Sequence, residues 1–175
     1  LETERLLFRK ITAEDLETLV EMRSDPEVNK YLGGPEAQNR EAIEKRLPFY
    51  LDCYEKFGFG FCMMIWKETG EEIGSAGIQP LGDSGEIEVG YNMKKAFWGK
   101  GIGTEAARAW LEHGFNIAGL ERIVAVAHPE NRASRHIMEK CGMTFEKMAS
   151  HYGFDVVLYA ITKNEFLSRN SVPEE

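Results

Sequence analysis

The sequence predicts a single α/β domain in which helices flank a mixed, mostly antiparallel sheet of about six to seven strands. In the first half of the chain, short apolar strands are separated by tight turns, which is typical of an antiparallel meander. In the second half, amphipathic helices alternate with apolar strands, which indicates helical connections across the sheet. Because 175 residues without an internal repeat fit one core, we expect one domain over residues 1–175, with its core at about 5–168.

Turn and capping signals divide the first half into elements. Thr12 to Asp15 is a variant of the capping box that begins a helix, and Asp25-Pro26 ends that helix. Gly33-Gly34-Pro35 interrupts the chain again. In order, the sequence predicts a strand at 6–11, a helix at 12–24, a helical turn at 27–32, a helix at 36–56, and strands at 59–67, 72–80 and 86–93.

The second half begins with a strongly amphipathic helix. Small and apolar residues recur at helical spacing on one face: Gly103, Ala106, Ala107, Trp110, Leu111, Gly114 and Ala118. A buried strand is predicted at 122–127, and a helix at 131–141 ends at Gly142, a favourable left-handed cap. Strands at 143–148 and 154–162 close the predicted sheet.

Composition excludes several classes of function. The net charge is −8 and no cluster of Lys or Arg offsets it, which argues against a nucleic-acid partner. No apolar run reaches membrane-spanning length and residues 1–5 do not resemble a signal peptide, so we expect no membrane partner and a cytoplasmic location. The three cysteines and four histidines lack the spacing of metal ligands, so we expect reduced core cysteines and no metal.

Residues 86–106 carry the most informative motif. An alternating strand leads into a short basic loop, and glycines at alternate positions, Gly99, Gly101 and Gly103, open the following helix. Glycines allow backbone N–H groups to converge, and the helix start adds unpaired N–H groups and the positive end of its dipole. The motif therefore predicts a site for phosphate or pyrophosphate.

Two common phosphate motifs do not fit. Residues 101–106 match the Gly-x-Gly-x-x-Ala pattern of dinucleotide-binding proteins, but a basic and aromatic loop separates the strand from its first glycine. The next strand also ends at His128 where a ribose-binding acidic residue is needed. A P-loop is excluded because no Gly-Lys-Ser/Thr follows at the required spacing.

The loop resembles the acyl-CoA-binding motif of the GNAT N-acetyltransferase superfamily, with Trp98 where the general motif has Gln or Arg. The form Trp-Gly-x-Gly-x-Gly-Thr-Glu-Ala is similar to the branch that contains the ribosomal-protein N-terminal acetyltransferases. Further similarities to that branch follow in chain order at residues 3–9, 88–91, 131–134 and 155–159.

The resemblance implies that acetyl-CoA is the co-substrate. The strand ending at Met93 is expected to part from its neighbour, so that the pantetheine arm enters the gap like an extra strand. Loop N–H groups would bind the pyrophosphate, and an N–H near the strand end would polarise the thioester carbonyl. The residues implied in cofactor binding are Tyr91, Asn92, Met93, Trp98, Gly99, Lys100, Gly101, Ile102, Gly103, Thr104, Asn131 and Ser134.

Two residues are catalytic candidates. Glu88 is the candidate general base, because similar enzymes often use a glutamate of this strand; a surface or structural carboxylate is the alternative. Ser134 is the candidate that approaches the sulfur, since it lies with Asn131 on an otherwise apolar helix face; helix capping is the alternative for both. Many GNAT enzymes have a tyrosine acid where this chain has Met138, which leaves Ser134, Tyr152 or water to protonate the thiolate.

The acceptor is expected to be a primary amine, and the resembling branch indicates a protein N-terminus. Segments 25–35 and 150–154 would form its pocket, with Asn29, Tyr31 and Tyr152 as substrate-binding candidates. A small amine or amino acid is an alternative acceptor, and a CoA-binding sensor without catalysis is an alternative class. Either a monomer or a homodimer is compatible with the sequence.

Overall fold

Seven strands form one sheet in the order β1-β2-β3-β4-β5-β7-β6 in the computed structural model, which describes residues 1–170. The strands are β1 Leu6–Lys10, β2 Phe61–Trp66, β3 Glu71–Pro80, β4 Ile87–Met93, β5 Arg122–Ala127, β6 Thr144–His151 and β7 Phe154–Thr162. The helices are α1 Leu16–Ser24, α2 Pro26–Asn29, α3 Gly34–Ala37, α4 Arg40–Phe57, α5 Ile102–Asn116, α6 Arg132–Lys140 and α7 Lys163–Asn170. The predicted mixed, mostly antiparallel sheet flanked by helices is confirmed.

The sheet parts at its centre. β3 and β4 pair antiparallel along their whole shared length, from Gly74 opposite Met93 to Pro80 opposite Ile87. β4 and β5 are parallel, and they pair at Glu88 opposite Val124. The following β4 residues pair with β3 alone, so the carboxyl-terminal halves of β4 and β5 are not joined by a ladder. The parted strands that the resemblance implied are therefore present.

Two core clusters lie on opposite faces of the sheet, because neighbouring residues of a strand point to opposite sides. On one face, α5 packs its apolar side against the central strands, and Trp110 meets Phe8 edge-on with ring centroids 5.6 Å apart. On the other face, α1 and α4 cover β2, and Tyr50 stacks on Phe61 at 5.8 Å. The gap between β4 and β5 connects these two sides.

The predicted helix at 36–56 is two helices in the structure. α3 ends at Ala37 and α4 begins at Arg40, after Asn39 caps it by accepting a hydrogen bond from the Ala42 N–H at 2.9 Å. The capping box at the start of the chain is confirmed, since the Thr12 N–H donates to Asp15 Oδ2 at 2.7 Å.

Two elements at the end of the chain differ from the prediction. β6 extends to His151, three residues beyond the predicted end. α7 was not predicted, although Thr162 and Glu165 have the spacing of a capping box and the Thr162 hydroxyl donates to the Glu165 carboxylate at 2.7 Å.

Cys53, Cys62 and Cys141 are buried and free, as predicted. Among residues 1–170, no helix is both long and apolar enough to span a bilayer.

Candidate active site

A cavity of about 790 Å³ opens where β4 and β5 part. Its lining joins the glycine loop and α6 on one side of the sheet to α1 and α4 on the other. The predicted residues that line it are Glu88, Tyr91, Asn92, Met93, Trp98, Gly99, Gly101, Ile102, Gly103, Thr104, Asn131, Ser134, Tyr31 and Tyr152. Most of the predicted site is therefore assembled in one cavity.

The glycine loop has the backbone geometry that its sequence requires. Gly99 and Gly101 have φ values of +73° and +77°, a left-handed conformation that side chains other than glycine rarely adopt. Gly101 begins α5 without any side-chain cap, so the first N–H groups of the helix have no side-chain acceptor. A Cβ at Gly103 would lie 2.7 Å from Ile137 Cδ1, so this glycine allows α5 and α6 to approach.

An N-terminal brace that sequence reasoning missed holds this loop. The Arg5 guanidinium donates through Nη1 to the Lys100 carbonyl at 2.9 Å and through Nε to Glu105 Oε2 at 2.6 Å. Thr3 donates to the other oxygen of Glu105, also at 2.6 Å. Hydrogen bonds thus join residues 3–5 to the glycine loop and the first turn of α5. This contact gives a structural role to residues 3–9, which resemble the same segment of the family branch.

Among the residues predicted to bind the cofactor, Lys100 does not line the cavity. Its carbonyl is bound to Arg5, and its ammonium lies 5.1 Å from the ring centre of Phe97. Trp98 has a clearer structural position, since its indole Nε1 donates to the Met93 carbonyl at 3.0 Å. That bond ties the loop to the end of β4.

Glu88 is buried, 5% exposed, at the one position where β4 still pairs with β5. Gln79, its neighbour on β3, donates to Glu88 Oε1 through Nε2 at 2.9 Å, and the Tyr152 hydroxyl donates to the same oxygen. Burial raises the pKa of Glu88 to about 7, although both hydrogen bonds oppose the rise. A carboxylate with this pKa can accept a proton near neutral pH.

Tyr152 reaches Glu88 from the turn between β6 and β7. It has φ +58°, and among residues 1–170 no other residue besides glycine has a positive φ. The residue is 57% exposed and lines the cavity, yet its hydroxyl reaches the buried carboxylate of Glu88. Burial of the hydroxyl and the negative charge of Glu88 raise the pKa of Tyr152, which therefore stays protonated and donates.

Ser134 and Tyr91 meet on the α5 and α6 side of the cavity. The Tyr91 hydroxyl lies 3.2 Å from Ser134 Oγ and donates to the Ser134 carbonyl at 3.1 Å. Burial raises the pKa of Tyr91 above its ordinary value. Asn131 caps α6 by accepting from the Ser134 N–H at 3.1 Å, and Met138 is buried in the cavity lining beside them.

Of the three residues predicted to bind the acceptor, Tyr31 and Tyr152 line the cavity and Asn29 does not. Tyr31 lines the cavity, with its ring 5.3 Å from that of His128. Asn29 does not line it, because its buried amide donates to the Arg23 carbonyl at 3.2 Å and supports the chain instead.

The cavity also includes polar residues that the sequence analysis did not single out: Arg23, Gln38, Arg46, Tyr50 and Gln79. The sequence could have indicated Gln79, since it is a polar residue within a mostly apolar strand. Arg23 and Tyr50 enter through the packing of α1 on α4, which the sequence alone does not specify.

The chain matches a known domain family and aligns with relatives over nearly its whole length. The family described as Acetyltransferase (GNAT) domain matches residues 5–144. The uncharacterized N-acetyltransferase p20 of Bacillus licheniformis is 30% identical, over 95% of this chain and 97% of that protein. The FsC-acetyl coenzyme A-N(2)-transacetylase of Aspergillus fumigatus is 28% identical, over 95% of this chain and 77% of that protein.

A solved acetyltransferase structure has a similar fold. An acetyltransferase from Agrobacterium tumefaciens superposes with a TM-score of 0.81 at 29% identity, covering 92% of each chain. The family match includes the glycine loop and both parted strands, β4 and β5. This chain therefore belongs to the GNAT family of N-acetyltransferases.

Proposed function

We propose that this protein transfers the acetyl group of acetyl-CoA directly to a primary amine, and that the amine is an α-amine such as a protein N-terminus. The observation that carries the proposal is the position of Glu88. A buried carboxylate with a pKa of about 7 lies where β4 and β5 part, in the cavity that the anion-binding loop also lines. A proton acceptor and a phosphate site in one cavity suit acyl transfer from a CoA thioester.

The loop residues fit the cofactor. At Gly99 an added Cβ would meet no atom within 4 Å, and at Gly101 it would approach Arg5 at 3.6 Å, so the loop backbone is accessible. Its N–H groups and the start of α5 would bind the pyrophosphate, and backbone groups of β4 near Asn92 and Met93 would bind the pantetheine arm. When bound, acetyl-CoA supplies an activated acetyl group as a thioester.

The pKa of Glu88 supports an α-amine as the acceptor. An unperturbed α-amine has a pKa of about 7.7–8.0, whereas that of a lysine amine is about 10.4. A base with a pKa of about 7 can remove the proton of an α-amine at small cost near neutral pH. A lysine side chain would need a further perturbation of more than two pKa units to react equally well.

Ser134 is the proposed hydrogen-bond donor to the thiolate of CoA that leaves in the reaction. The Tyr91 hydroxyl donates its proton to the Ser134 carbonyl and lies 3.2 Å from Ser134 Oγ, so the Ser134 hydroxyl is free to turn its own proton toward a leaving thiolate. Met138, buried beside them, cannot donate a proton. We assign the donation to Ser134, with Tyr91 orienting it.

A small amine is the second candidate acceptor. The 28%-identical relative from Aspergillus fumigatus is named as a transacetylase that acts at an N(2) position with acetyl coenzyme A. A small acceptor would use the same Glu88, loop and Ser134.

An acceptor panel tests the proposal by release of free CoA thiol. The panel contains peptides with free and with blocked N-termini, N-blocked lysine peptides, amino acids and polyamines. We expect turnover with free α-amines and none when the α-amine is blocked. Turnover confined to lysine side chains or polyamines would overturn the α-amine assignment. Tight binding of acetyl-CoA without turnover on any amine would favour a CoA-binding sensor.

Replacing Glu88 by Gln is expected to lower kcat/KM by about 10²-fold or more, because the base is removed. In the wild type, protonation of Glu88 contributes an inflection of kcat/KM near pH 7, below the inflection of the acceptor α-amine at about 7.7–8.0. The variant keeps only the inflection of the amine. Glu86→Gln is the matched control, because Glu86 lies two residues away and pairs with Arg122 at 3.2 Å on the surface. Equal pH profiles in Glu88→Gln and the wild type would remove Glu88 from the reaction.

Replacing Tyr152 by Phe is expected to shift the inflection of kcat/KM toward higher pH by roughly half a pH unit or more. The Tyr152 hydrogen bond favours the ionised carboxylate, so its loss raises the pKa of Glu88 further. The pH dependence of kcat/KM with a saturating acetyl-CoA concentration measures the shift. An inflection that stays in place or moves to lower pH contradicts the proposed contact.

Replacing Gly101 by Val is expected to weaken acetyl-CoA binding by about tenfold or more, because the side chain strains φ +77° at the loop. Calorimetric titration with acetyl-CoA measures the affinity. Gly70→Val is the matched control, since Gly70 has φ +75° in the turn between β2 and β3, away from the cavity. If both variants bind acetyl-CoA as the wild type does, the anion site is assigned wrongly.

A further inference from the structure

Arg23 places a buried positive charge in the wall of the cavity. It lies in the last turn of α1, is 3% exposed, and lines the cavity on the side that α1 and α4 form. Burying a charge is costly unless an opposite charge or hydrogen bonds compensate it. A guanidinium also cannot lower this cost by losing its proton, as a lysine can. The groups that surround the Arg23 guanidinium therefore show whether its buried charge is compensated within the protein.

The protein supplies few partners for this guanidinium. Nη2 donates to the Tyr50 hydroxyl at 3.2 Å, and the group lies 5.7 Å from the centre of the Tyr50 ring. Nε is buried and has no hydrogen-bond partner. Within residues 1–170, no aspartate or glutamate forms an ion pair with Arg23, in contrast to Arg9, which pairs with Asp15 at 2.7 Å. The carbonyls at the end of α1 add only partial negative charge.

The acidic residues of the same cavity do not neutralise Arg23. Glu88 is bound to Gln79 and Tyr152. Glu27, more than half exposed, lies 3.9 Å from the ammonium of Lys95. The other cations on this side, Lys30 and Arg46, also line the cavity and add to its positive potential.

Arg23 and Glu88 belong to adjoining parts of the wall. Tyr50, which holds Arg23, stacks on Phe61 with ring centroids 5.8 Å apart. Phe61 in turn lies directly beside Gly90, where an added Cβ would come within 2.6 Å of its ring, and Gly90 is two residues from Glu88. Glu88 and Gly90 lie on the same face of β4, the face that Phe61 covers, so the base and the guanidinium line the same side of one cavity.

We propose that the acceptor amine carries a carboxylate, and that Arg23 binds this carboxylate while Glu88 receives the proton of the amine. The inference rests on the proposed function and narrows its substrate class to α-amines with a nearby carboxylate. Two sources share this chemistry: a free amino acid, and a peptide whose first residue is acidic. The planar guanidinium suits a carboxylate because it can donate two parallel hydrogen bonds.

Matched acceptor pairs test the inference by steady-state release of CoA thiol. One arm compares free amino acids with their carboxamides, and the other compares peptides beginning with Asp or Glu with those beginning with Asn or Gln. In at least one arm, kcat/KM for the carboxylate form is expected to exceed that for the amide by about 30-fold or more, as for a buried hydrogen-bonded charge pair. The arm that shows the difference identifies the source of the carboxylate.

Arg23→Gln is expected to abolish that preference by lowering kcat/KM for the carboxylate form alone. Arg23→Lys keeps the charge and should retain part of the preference, which makes it informative if the Gln variant does not fold. Arg40→Gln is the control, since Arg40 is an arginine of α4 that pairs with Glu17 and Glu44 outside the cavity. Wild-type affinity for acetyl-CoA shows that a variant is folded.

The outcomes separate this inference from the proposed function. Wild-type turnover with equal kcat/KM for acids and amides overturns the carboxylate and leaves N-acetyltransfer intact. A preference that persists in both Arg23 variants overturns the role of Arg23. Absence of turnover with every amine, despite binding of acetyl-CoA, overturns both proposals together.

Discussion

The single pairing between Glu88 on β4 and Val124 on β5 is the constraint on which the site depends. β4 and β5 are joined at that pair alone, and beyond it the backbone groups of β4 on this side are free of β5. Parallel strands with a common ladder would close the gap and leave no route between the two faces of the sheet. Because the strands part, one cavity reaches the glycine loop on the α5 side and Arg23 on the α1 side. The proposed reaction needs both sides at once, one for the acyl donor and one for the acceptor.

Glu88 shows how opposing effects set a pKa near neutrality. Burial favours the protonated carboxyl group, whereas the hydrogen bonds from Tyr152 and Gln79 favour the carboxylate, and burial is the larger effect. The Tyr152 contact also covers the carboxylate, so an acceptor amine reaches Glu88 only beside or in place of that hydroxyl. A positive φ in a bulky residue is strained, and Tyr152 has φ +58°. The β6–β7 turn therefore holds a strained residue beside Glu88, where the proposed acceptor would enter.

The sequence predicted the parts of this protein that local patterns determine. The glycine loop and the placement of Glu88 on β4 follow from residue types at fixed spacing, and most strands followed from alternation and turns. The same holds for helix capping by Asn131, which was the alternative to its predicted role in cofactor binding. The contacts that the sequence did not predict depend on tertiary packing. Lys100 does not line the cavity, and its carbonyl is bound by Arg5 from a segment almost a hundred residues away in the chain. Asn29 was expected to face the acceptor, but the packing of α2 beside α1 directs its amide to the Arg23 carbonyl. No local pattern specifies either contact.

The net charge of the whole chain and the charges that line the cavity favour different acceptors, and the proposed carboxylate-bearing acceptor follows from the cavity. A net charge of −8 is compatible with a cationic amine. Surface charges act through water, however, and salt screens them beyond about 8 Å at physiological ionic strength. Arg23 is buried, so screening weakens its field much less. A second positive group brought beside it would be repelled at short range with little solvent between them, while a carboxylate would meet an uncompensated guanidinium. The buried charge in the cavity thus outweighs the distant surface charges, which is the physical reason that the proposed acceptor carries a negative group.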